Sequence, residues 1–337
     1  MTTHRPKAAT LRLPPTQKLL GTIADPLFLL SPPLSLASHV CAMLGQHTQM
    51  YSLPETHLFL AETISEWWEI CAKSSFNMAH GLWRAIAELY FDAQTESQIA
   101  MAAAWLRRRF PFTTGYILEL IAARVYPRML VEKSPSVVFH AATMQRSLRM
   151  FPQARFIHLV EHPRRYCEAV VAAIKDAVAH HPNRVPHWLR QLACFSAAHA
   201  DESSQEHPEL DPQQAWHALH GNIGEFLKAV PETQKLRVRT EDVLRDPDAV
   251  LAAITEWLAI RSDAGAIDAM KHPERSPYAR FGPEGARYGD NAAFLRRPSL
   301  PEPPSELDDL DTPFSWRDDG EGFSAESKSL ARQFGYA

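Results

Sequence analysis

The sequence has few cysteines and no long apolar run. Its four cysteines, Cys41, Cys71, Cys167 and Cys194, are far apart and lack the CxxC spacing of zinc sites. We therefore predict reduced core thiols of a cytoplasmic protein, with neither a disulfide framework nor a metal site. No apolar run reaches the roughly 18 residues of a membrane span, and none of about 7–15 residues follows the N-terminus as in a signal peptide.

A strong charge of either sign is also missing. The formal net charge is −4 over 337 residues, which gives no electrostatic basis for binding nucleic acid or an anionic membrane. The glycine-dependent motifs of serine-hydrolase elbows, Walker loops and dinucleotide fingerprints are absent as well. We predict neither a nucleic acid nor a membrane partner, and the oligomeric state stays open.

Short apolar runs alternate with helical patterns along the chain. Residues 27–30, 129–131, 156–160 and 236–238 are predicted strands. Pro163, Pro212 and Pro247 suit the first position of a helix, the last two after an aspartate N-cap. Further helices are predicted at 138–150 and near 188–198, with a polar loop at 201–209. This alternation predicts an α/β fold with a parallel sheet covered on both faces.

The long stretch between the first two predicted strands is helical. Apolar and aromatic residues recur at helical spacing over residues 62–125, with no β-branched runs. We interpret it as a helical cap within one domain of residues 21–300. Residues 1–20 are predicted to be a disordered lead-in, and 301–337 a C-terminal extension.

Five motifs carry the functional information. Glu132-Lys133-Ser134-Pro135 and Glu161-His162-Pro163 each follow a predicted strand, and Pro54-Glu55-Thr56-His57, Val238–Asp242 and the Pro26–Val40 junction accompany them. Together they resemble the sulfotransferase family from about Pro26 to about Leu300, in particular bacterial sulfotransferases of natural-product pathways and polyketide synthases. The resemblance implies a three-layer, P-loop-like fold with a helical cap. It also implies an irregular C-terminal flap over the site, for which the segment from His272 to Leu295 is the counterpart.

The same resemblance implies the donor 3′-phosphoadenosine 5′-phosphosulfate, whose phosphates need cations and backbone amides. At the donor positions this sequence keeps two hydroxyls, Ser35 and Ser38. Four other donor positions have changed: Leu34 replaces a cation, Leu36 a glycine, Glu161 an arginine and Ala169 a serine.

Because all four changes affect one function, we predict that the donor is not used and that no cofactor is needed. If the donor is used after all, Arg164 or Arg165 supplies a displaced phosphate contact; the alternative role for these arginines is an ion pair with Glu161.

The acceptor motif is intact. The resemblance implies that His57 takes the acceptor's proton, with Glu55 orienting it and Lys133 as a cation near the substrate. The structural alternatives are that Glu55 caps a helix over His57, and that Lys133 forms a salt bridge with Glu132 or Glu241.

Two further histidine pairs have simpler interpretations. His217 and His220 have a metal-compatible spacing but no third ligand, so we interpret them as a solvated helix face. His180 and His181 are predicted to lie at a helix end, where the helix dipole favours them.

Three functions remain open. The first is a sulfotransferase-fold enzyme that has lost the donor and performs elimination, cyclisation, isomerisation or hydrolysis on a natural-product intermediate, either a small molecule or carrier-protein-bound. The second is a sulfotransferase with a rewired donor site. The third is a non-catalytic scaffold.

Overall fold

A computed structural model describes residues 24–74, 76–180, 192, 211–303, 309–317 and 319–337. Its centre is a five-stranded parallel sheet in the order β2-β3-β1-β4-β5. The strands are β1 Leu27–Leu30, β2 Met50–Ser52, β3 Met129–Glu132, β4 Arg155–Val160 and β5 Lys235–Arg239. The predicted strands are confirmed to within one residue at each end. The short edge strand β2 was not predicted.

The central strand β1 explains both the apolar runs and the layers. It pairs on one side with β3, where Leu27 lies opposite Val131, and on the other with β4, where Leu27 lies opposite Arg155. Side chains alternate along a strand, so Leu27 and Leu29 enter one core while Phe28 and Leu30 enter the other. Helices cover both faces, which confirms the three-layer α/β fold.

The helices begin largely where proline and capping residues predict. Asp211 and Asp246 accept hydrogen bonds from the backbone N–H groups of Gln213 and Ala249, so they are the N-caps that the sequence predicts. The helices are α1 Ala37–Leu44, α2 Ile64–Ser74, α3 His80–Phe91, α4 Glu96–Arg107, α5 Thr114–Val125, α6 Ala141–Met150, α7 Pro163–His180, α8 Pro212–Leu227, α9 Thr240–Arg245, α10 Pro247–Leu258, α11 Ala264–Met270, α12 Ala292–Arg296 and α13 Ala325–Gln333. The helix predicted from residue 138 starts at Ala141, after a 3-10 turn over Pro135–Phe139.

Helices α2 to α5 form the predicted cap, and they share the core of the sheet. Trp67, Leu82 and Ile121 are fully buried in the same apolar cluster as Phe28 of β1. Over the described part of the chain, no helix has the length and apolar character needed to cross a membrane. Cys41, Cys71 and Cys167 are buried free thiols.

Some predictions concern residues outside the described ranges. These are the lead-in 1–20, most of the helix near 188–198, the loop 201–209, Cys194, His181 and the side chain of His180. The domain boundaries at residues 20 and 300 likewise stay predictions.

The C-terminal part is more regular than the resemblance implied. After Lys271 the chain forms 3-10 turns at Pro273–Arg275 and Glu284–Ala286, then α12 and α13. Phe334 and Tyr336, just beyond α13, are buried. The end of the tail is therefore packed into the apolar core on one face of the sheet.

The interpretation of His220 as a residue on a solvated face was wrong. His220 is 1% exposed, and its Nδ1 lies 2.9 Å from Nε2 of His158 on β4, with Phe334 edge-on to both rings. His217 on the same helix is only partly buried. The described residues contain no group of three side chains able to hold a metal. Burial lowers the pKa of both paired imidazoles, to about 3 for His220.

This buried pair predicts a loss of stability in acid. An unfolded histidine titrates near 6.5, so below that pH the unfolded chain binds protons that the folded pair refuses. The free energy of unfolding should fall from about pH 6.5 downwards, by up to about 1.4 kcal/mol per pH unit for each histidine. In urea titrations at pH 7.5, 6 and 5, His158→Leu/His220→Leu should show a shallower fall than the wild type. His140→Leu, at an exposed position, should follow the wild type; equal slopes in all three proteins would contradict the prediction.

Candidate functional site

The carboxyl ends of the parallel strands bring the motifs together at one edge of the sheet, called the carboxyl edge below. Glu132 ends β3 and Lys133 follows it, Glu161 follows β4, and Glu55 and His57 follow β2. The connections from strand to strand change direction along the sheet at β1, which lies between β3 and β4. Ligands of open α/β sheets bind at such reversal points.

Lys133 is the centre of a buried charge cluster. Its ammonium donates to Glu55 Oε1 at 2.5 Å, Asp290 Oδ1 at 2.9 Å and Ser38 Oγ at 3.1 Å. Lys133 is 3% exposed. Although burial disfavours the ammonium, the carboxylates of Asp290 and Glu55 outweigh it and raise the pKa of Lys133. An ammonium has three N–H donors, so these three acceptors occupy all of them.

Glu55 links this cluster to the histidine. Its other oxygen, Oε2, lies 3.6 Å from His57 Nε2. Burial alone would raise the pKa of Glu55, but the Lys133 ammonium and His57 hold it well below its usual range. Glu55 is therefore ionised at neutral pH. The structural alternative in which Glu55 caps a helix is wrong, because the Glu55 side chain contacts Lys133 and His57.

His57 is fixed from both sides. Its Nδ1 lies 2.6 Å from Ser136 Oγ, and its backbone N–H donates to Ser134 Oγ at 2.9 Å. The residue has a φ of 52°, in the left-handed region, and is 8% exposed. With Glu55 beside Nε2 and Ser136 beside Nδ1, the ring has a single orientation. Glu55, His57 and Ser136 therefore form a row of carboxylate, imidazole and hydroxyl, with a hydrogen bond between His57 and Ser136 and an ion-pair contact of 3.6 Å between Glu55 and His57.

The predicted salt bridge from Lys133 to Glu132 or Glu241 was wrong. Glu132 accepts hydrogen bonds from Thr56 Oγ1 and Ser134 Oγ, and burial raises its pKa despite them. Glu241 accepts from the backbone N–H of His162 and from the Tyr336 hydroxyl. Both carboxylates therefore brace the backbone and side chains around the carboxyl edge.

A cavity of about 220 Å³ opens between the start of α1 and the start of α7, and we call it the junction cavity. It brings together all six donor positions that the resemblance identified. The lining side chains are Leu34, Ser35, Leu36, Ser38, His39, Glu161, Arg165, Ala169, Asn291, Ala293 and Phe294. Ser38 also contacts Lys133, so the cavity adjoins the charge cluster.

The two retained hydroxyls are engaged with the protein. Ser38 Oγ donates to Asp290 Oδ1 at 2.5 Å, and Ser35 Oγ lies 2.6 Å from Ser31 Oγ. Leu34 has a φ of 67°, the left-handed region that a branched residue rarely adopts. Leu36, where the resemblance implies a glycine, has a φ of −69° that any residue adopts, so the unusual backbone lies at the position where the resemblance implies a cation.

Glu161 is a buried carboxylate on the cavity wall. Burial, together with the nearby carboxylate of Glu241, raises the pKa of Glu161 to about 8, and Arg165 opposes this only partly. The Arg165 Nε is 3.8 Å from Glu161 Oε1. Arg164 points away and donates to the carbonyls of Asp309, Thr312 and Pro313. The predicted ion pair thus involves Arg165, while Arg164 fastens the C-terminal segment.

A larger open depression of about 720 Å³ lies between α10 and α11. Its Lys271 forms ion pairs with Asp248 at 3.0 Å and Asp268 at 3.2 Å. These charges neutralise one another on an exposed surface, so the depression offers no comparable chemistry.

Comparison with known proteins agrees with this geometry. The sequence profile described as "Sulfotransferase family" matches residues 26–264. The chain belongs to the sulfotransferase family. No curated protein sequence matches it closely enough to count as a relative.

Two solved sulfotransferase domains have the same fold. One, from the curacin biosynthetic pathway, is 18% identical with a TM-score of 0.64 and covers 93% of this chain and 98% of its own. The other, from the Synechococcus PCC 7002 olefin synthase, is 22% identical with a TM-score of 0.67, covering 95% and 98%. At these identities the likeness establishes the sulfotransferase fold.

Two residues of the site were not singled out from the sequence. Asp290 lies in a Gly-Asp-Asn segment that contributed to the sulfotransferase resemblance, but nothing local indicates that it reaches Lys133. Ser136 directly follows the Glu-Lys-Ser-Pro motif. A serine next to a proline is common in turns, so it gives no separate indication of function. Only the folded chain shows its contact with His57.

Proposed function

We propose that this protein is a cytoplasmic sulfotransferase-family enzyme that acts on a natural-product intermediate without the phosphosulfate donor. The observation that carries the proposal is the Glu161 carboxylate on the wall of the junction cavity, at a position where the resemblance implies an arginine. Sulfotransferases ordinarily hold the donor's phosphates with cations. Leu34, Leu36 and Ala169, which line the same cavity, supply neither a cation nor a hydroxyl.

The size of the charge effect supports this. At about 4 Å and an effective dielectric near 20, two unit charges interact with about 4 kcal/mol. Because burial and Glu241 raise the pKa of Glu161 to about 8, its carboxyl is mostly neutral at pH 7, and the main effect is the lost attraction of a cation. A loss of about 4 kcal/mol weakens binding by about three powers of ten. Arg165, at the cavity mouth, restores part of that attraction. The hydroxyls of Ser35 and Ser38 do not compensate, because protein partners engage both.

The relay of Glu55, His57 and Ser136 supplies the chemistry. When Nε2 carries its proton towards Glu55, Nδ1 accepts from the Ser136 hydroxyl. A substrate proton passes to the Ser136 oxygen as Ser136 passes its own to Nδ1. Lys133 acts as a positioning residue that keeps Glu55 ionised, because no N–H of its ammonium is left for substrate. Proton abstraction of this kind serves elimination, cyclisation, isomerisation or hydrolysis.

We infer the substrate class from the proteins that share this fold. Both compared domains are named for natural-product or olefin synthesis, and we infer a related intermediate, free or bound to an acyl carrier protein. The genes around this one would identify it, since a carrier-protein or polyketide gene set would define the starting compound. A scaffold without catalysis would not need an ionised Glu55 oriented on His57.

A donor titration tests the proposal. We expect that calorimetry with 3′-phosphoadenosine 5′-phosphate will detect no binding tighter than about 1 mM, because the loss of about three powers of ten acts on an ordinarily micromolar ligand. The double variant Leu34→Arg/Glu161→Arg should bind more tightly than the wild type. Micromolar affinity in the wild type would instead support a working sulfotransferase with a rewired donor site, in which Arg165 supplies the phosphate contact.

A further inference from the structure

The buried Glu161 carboxylate has one oxygen without a hydrogen-bond donor among the described residues. Glu161 is 8% exposed, and its Oε2 accepts no hydrogen bond from any residue that the structure describes. Among the described residues, its Oε1 pairs with the Arg165 Nε at 3.8 Å, which is beyond hydrogen-bond distance. A buried carboxylate oxygen without a donor costs free energy. A ligand that brings a donor to Oε2 would remove that cost.

The rest of the junction cavity is suited to hydrocarbon. Leu34, Leu36, Ala169 and Phe294 form apolar walls around the carboxylate. His39, also on the wall, has its pKa lowered by burial, so it is neutral at pH 7 and adds no positive charge. The cavity volume of about 220 Å³ is enough for a short chain.

We propose that the junction cavity binds a short aliphatic amine, or the aminoalkyl part of a larger substrate, with Glu161 as the counter-ion of its ammonium group. The apolar walls hold the methylenes, and the ammonium donates to the free oxygen of Glu161. This inference rests on the proposed function only in that the nucleotide donor does not occupy the cavity.

The neighbours of Glu161 favour a cation over an anion. Glu241 adds a second negative charge, and Tyr166 and Tyr336 are neutral because burial raises their pKa values. Among the described residues of the cavity wall, Arg165 is the opposing cation, and its side chain, 31% exposed, lies at the mouth. The charged groups of the described residues that act on Glu161 are therefore one carboxylate, Glu241, and one guanidinium, Arg165.

Binding should release a proton. With a pKa of about 8, Glu161 is mostly protonated at pH 7 in the free protein, whereas the ammonium complex needs the carboxylate. Affinity should therefore rise about tenfold per pH unit below 8 and level off above it, since an aliphatic amine stays charged to about pH 10. A carboxylate that is already ionised would give no such rise.

The experiment compares three probes of equal size on the full-length protein. Ligand-observed NMR titrations with butylamine, butan-1-ol and sodium butyrate at pH 6, 7 and 8 separate charge from shape. We expect butylammonium to bind with a millimolar or lower Kd at pH 8, and the alcohol and butyrate at least tenfold more weakly. Glu161→Gln should lose at least tenfold in butylammonium affinity and lose the pH dependence. Glu168→Gln, a matched change on the exposed side of α7, should bind like the wild type.

Three results would overturn the inference: no butylammonium binding up to 50 mM, equal binding of butan-1-ol, or unchanged binding by Glu161→Gln. The wild-type probe comparison and pH series decide the question even if Glu161→Gln does not fold. The same protein sample is also titrated with 3′-phosphoadenosine 5′-phosphate. Micromolar binding of that nucleotide would defeat the proposed function, whereas failure of butylammonium alone would defeat only this inference.

Discussion

Replacing Lys133 with methionine should lower the free energy of unfolding by about 3–5 kcal/mol, the usual cost of breaking a buried ion pair. The side chains of Glu55 and Asp290 are 16% and 6% exposed, and both form an ion pair with the Lys133 ammonium. Methionine keeps the length and apolar stem of lysine. The loss of stability therefore measures the cost of leaving two buried carboxylates without a cation, and not the cost of creating a cavity.

Urea unfolding at pH 7 measures this loss, with two companion variants to interpret it. Lys133→Met/Glu55→Gln/Asp290→Asn removes both stranded charges and should recover a substantial part of the stability. Lys73→Met breaks an exposed pair with Glu69 at 3.8 Å and should cost no more than about 1 kcal/mol. If Lys133→Met costs no more than Lys73→Met, the charge cluster does not hold the site together.

The fold was predictable because its central strands are buried on both faces. Such strands appear in sequence as nearly continuous apolar runs. Residues 27–30 are such a run, and at 156–160 only His158 interrupts it. Strand β2 is only Met50–Ser52 and lies at the edge of the sheet. Three residues cannot show the period of a strand, so it escaped prediction.

The partner of Lys133 could not be predicted for a geometric reason. Neighbouring residues at a strand end point to opposite faces, which carries Glu132 away from Lys133. Glu241 follows β5, which is separated from β3 by β1 and β4. At about 4.8 Å per strand that is about 14 Å, too far for contact. Of its two carboxylate partners, Asp290 depends on where the tail returns, and Glu55 comes from the loop after the unpredicted strand β2.

The donor positions illustrate the opposite case. Leu34, Leu36, Glu161 and Ala169 are far apart in sequence, and only the resemblance joined them. The structure brings them to the wall of one cavity, so the four changes have a common location. What the sequence could not supply is the state of Glu161, because its pKa depends on burial and on Glu241 across the sheet.

Replacing His57 should reduce turnover of the natural substrate by roughly 10²–10⁴, the range for removing a general base. Because His57 has a φ of 52°, His57→Asn is the better variant: asparagine tolerates the left-handed region more readily than alanine. His57→Ala should give the same loss of rate with somewhat lower stability. Ser136→Ala should also lose rate, since it interrupts the relay to Nδ1. Glu55→Gln should lose less, because it removes charge and orientation but leaves the imidazole in place.

The rate is measured by mass spectrometry on the intermediate that the neighbouring genes identify, with substrate affinity and thermal unfolding followed in parallel. His140→Ala, at an exposed histidine outside the site, should keep full turnover. A base acts on the chemical step, so kcat should fall in His57→Asn while substrate affinity persists. A rise in KM with kcat unchanged would mean that His57 only binds substrate. Full activity in both His57 variants would end its assignment as the base, and a protein with no turnover but intact partner binding would be a scaffold.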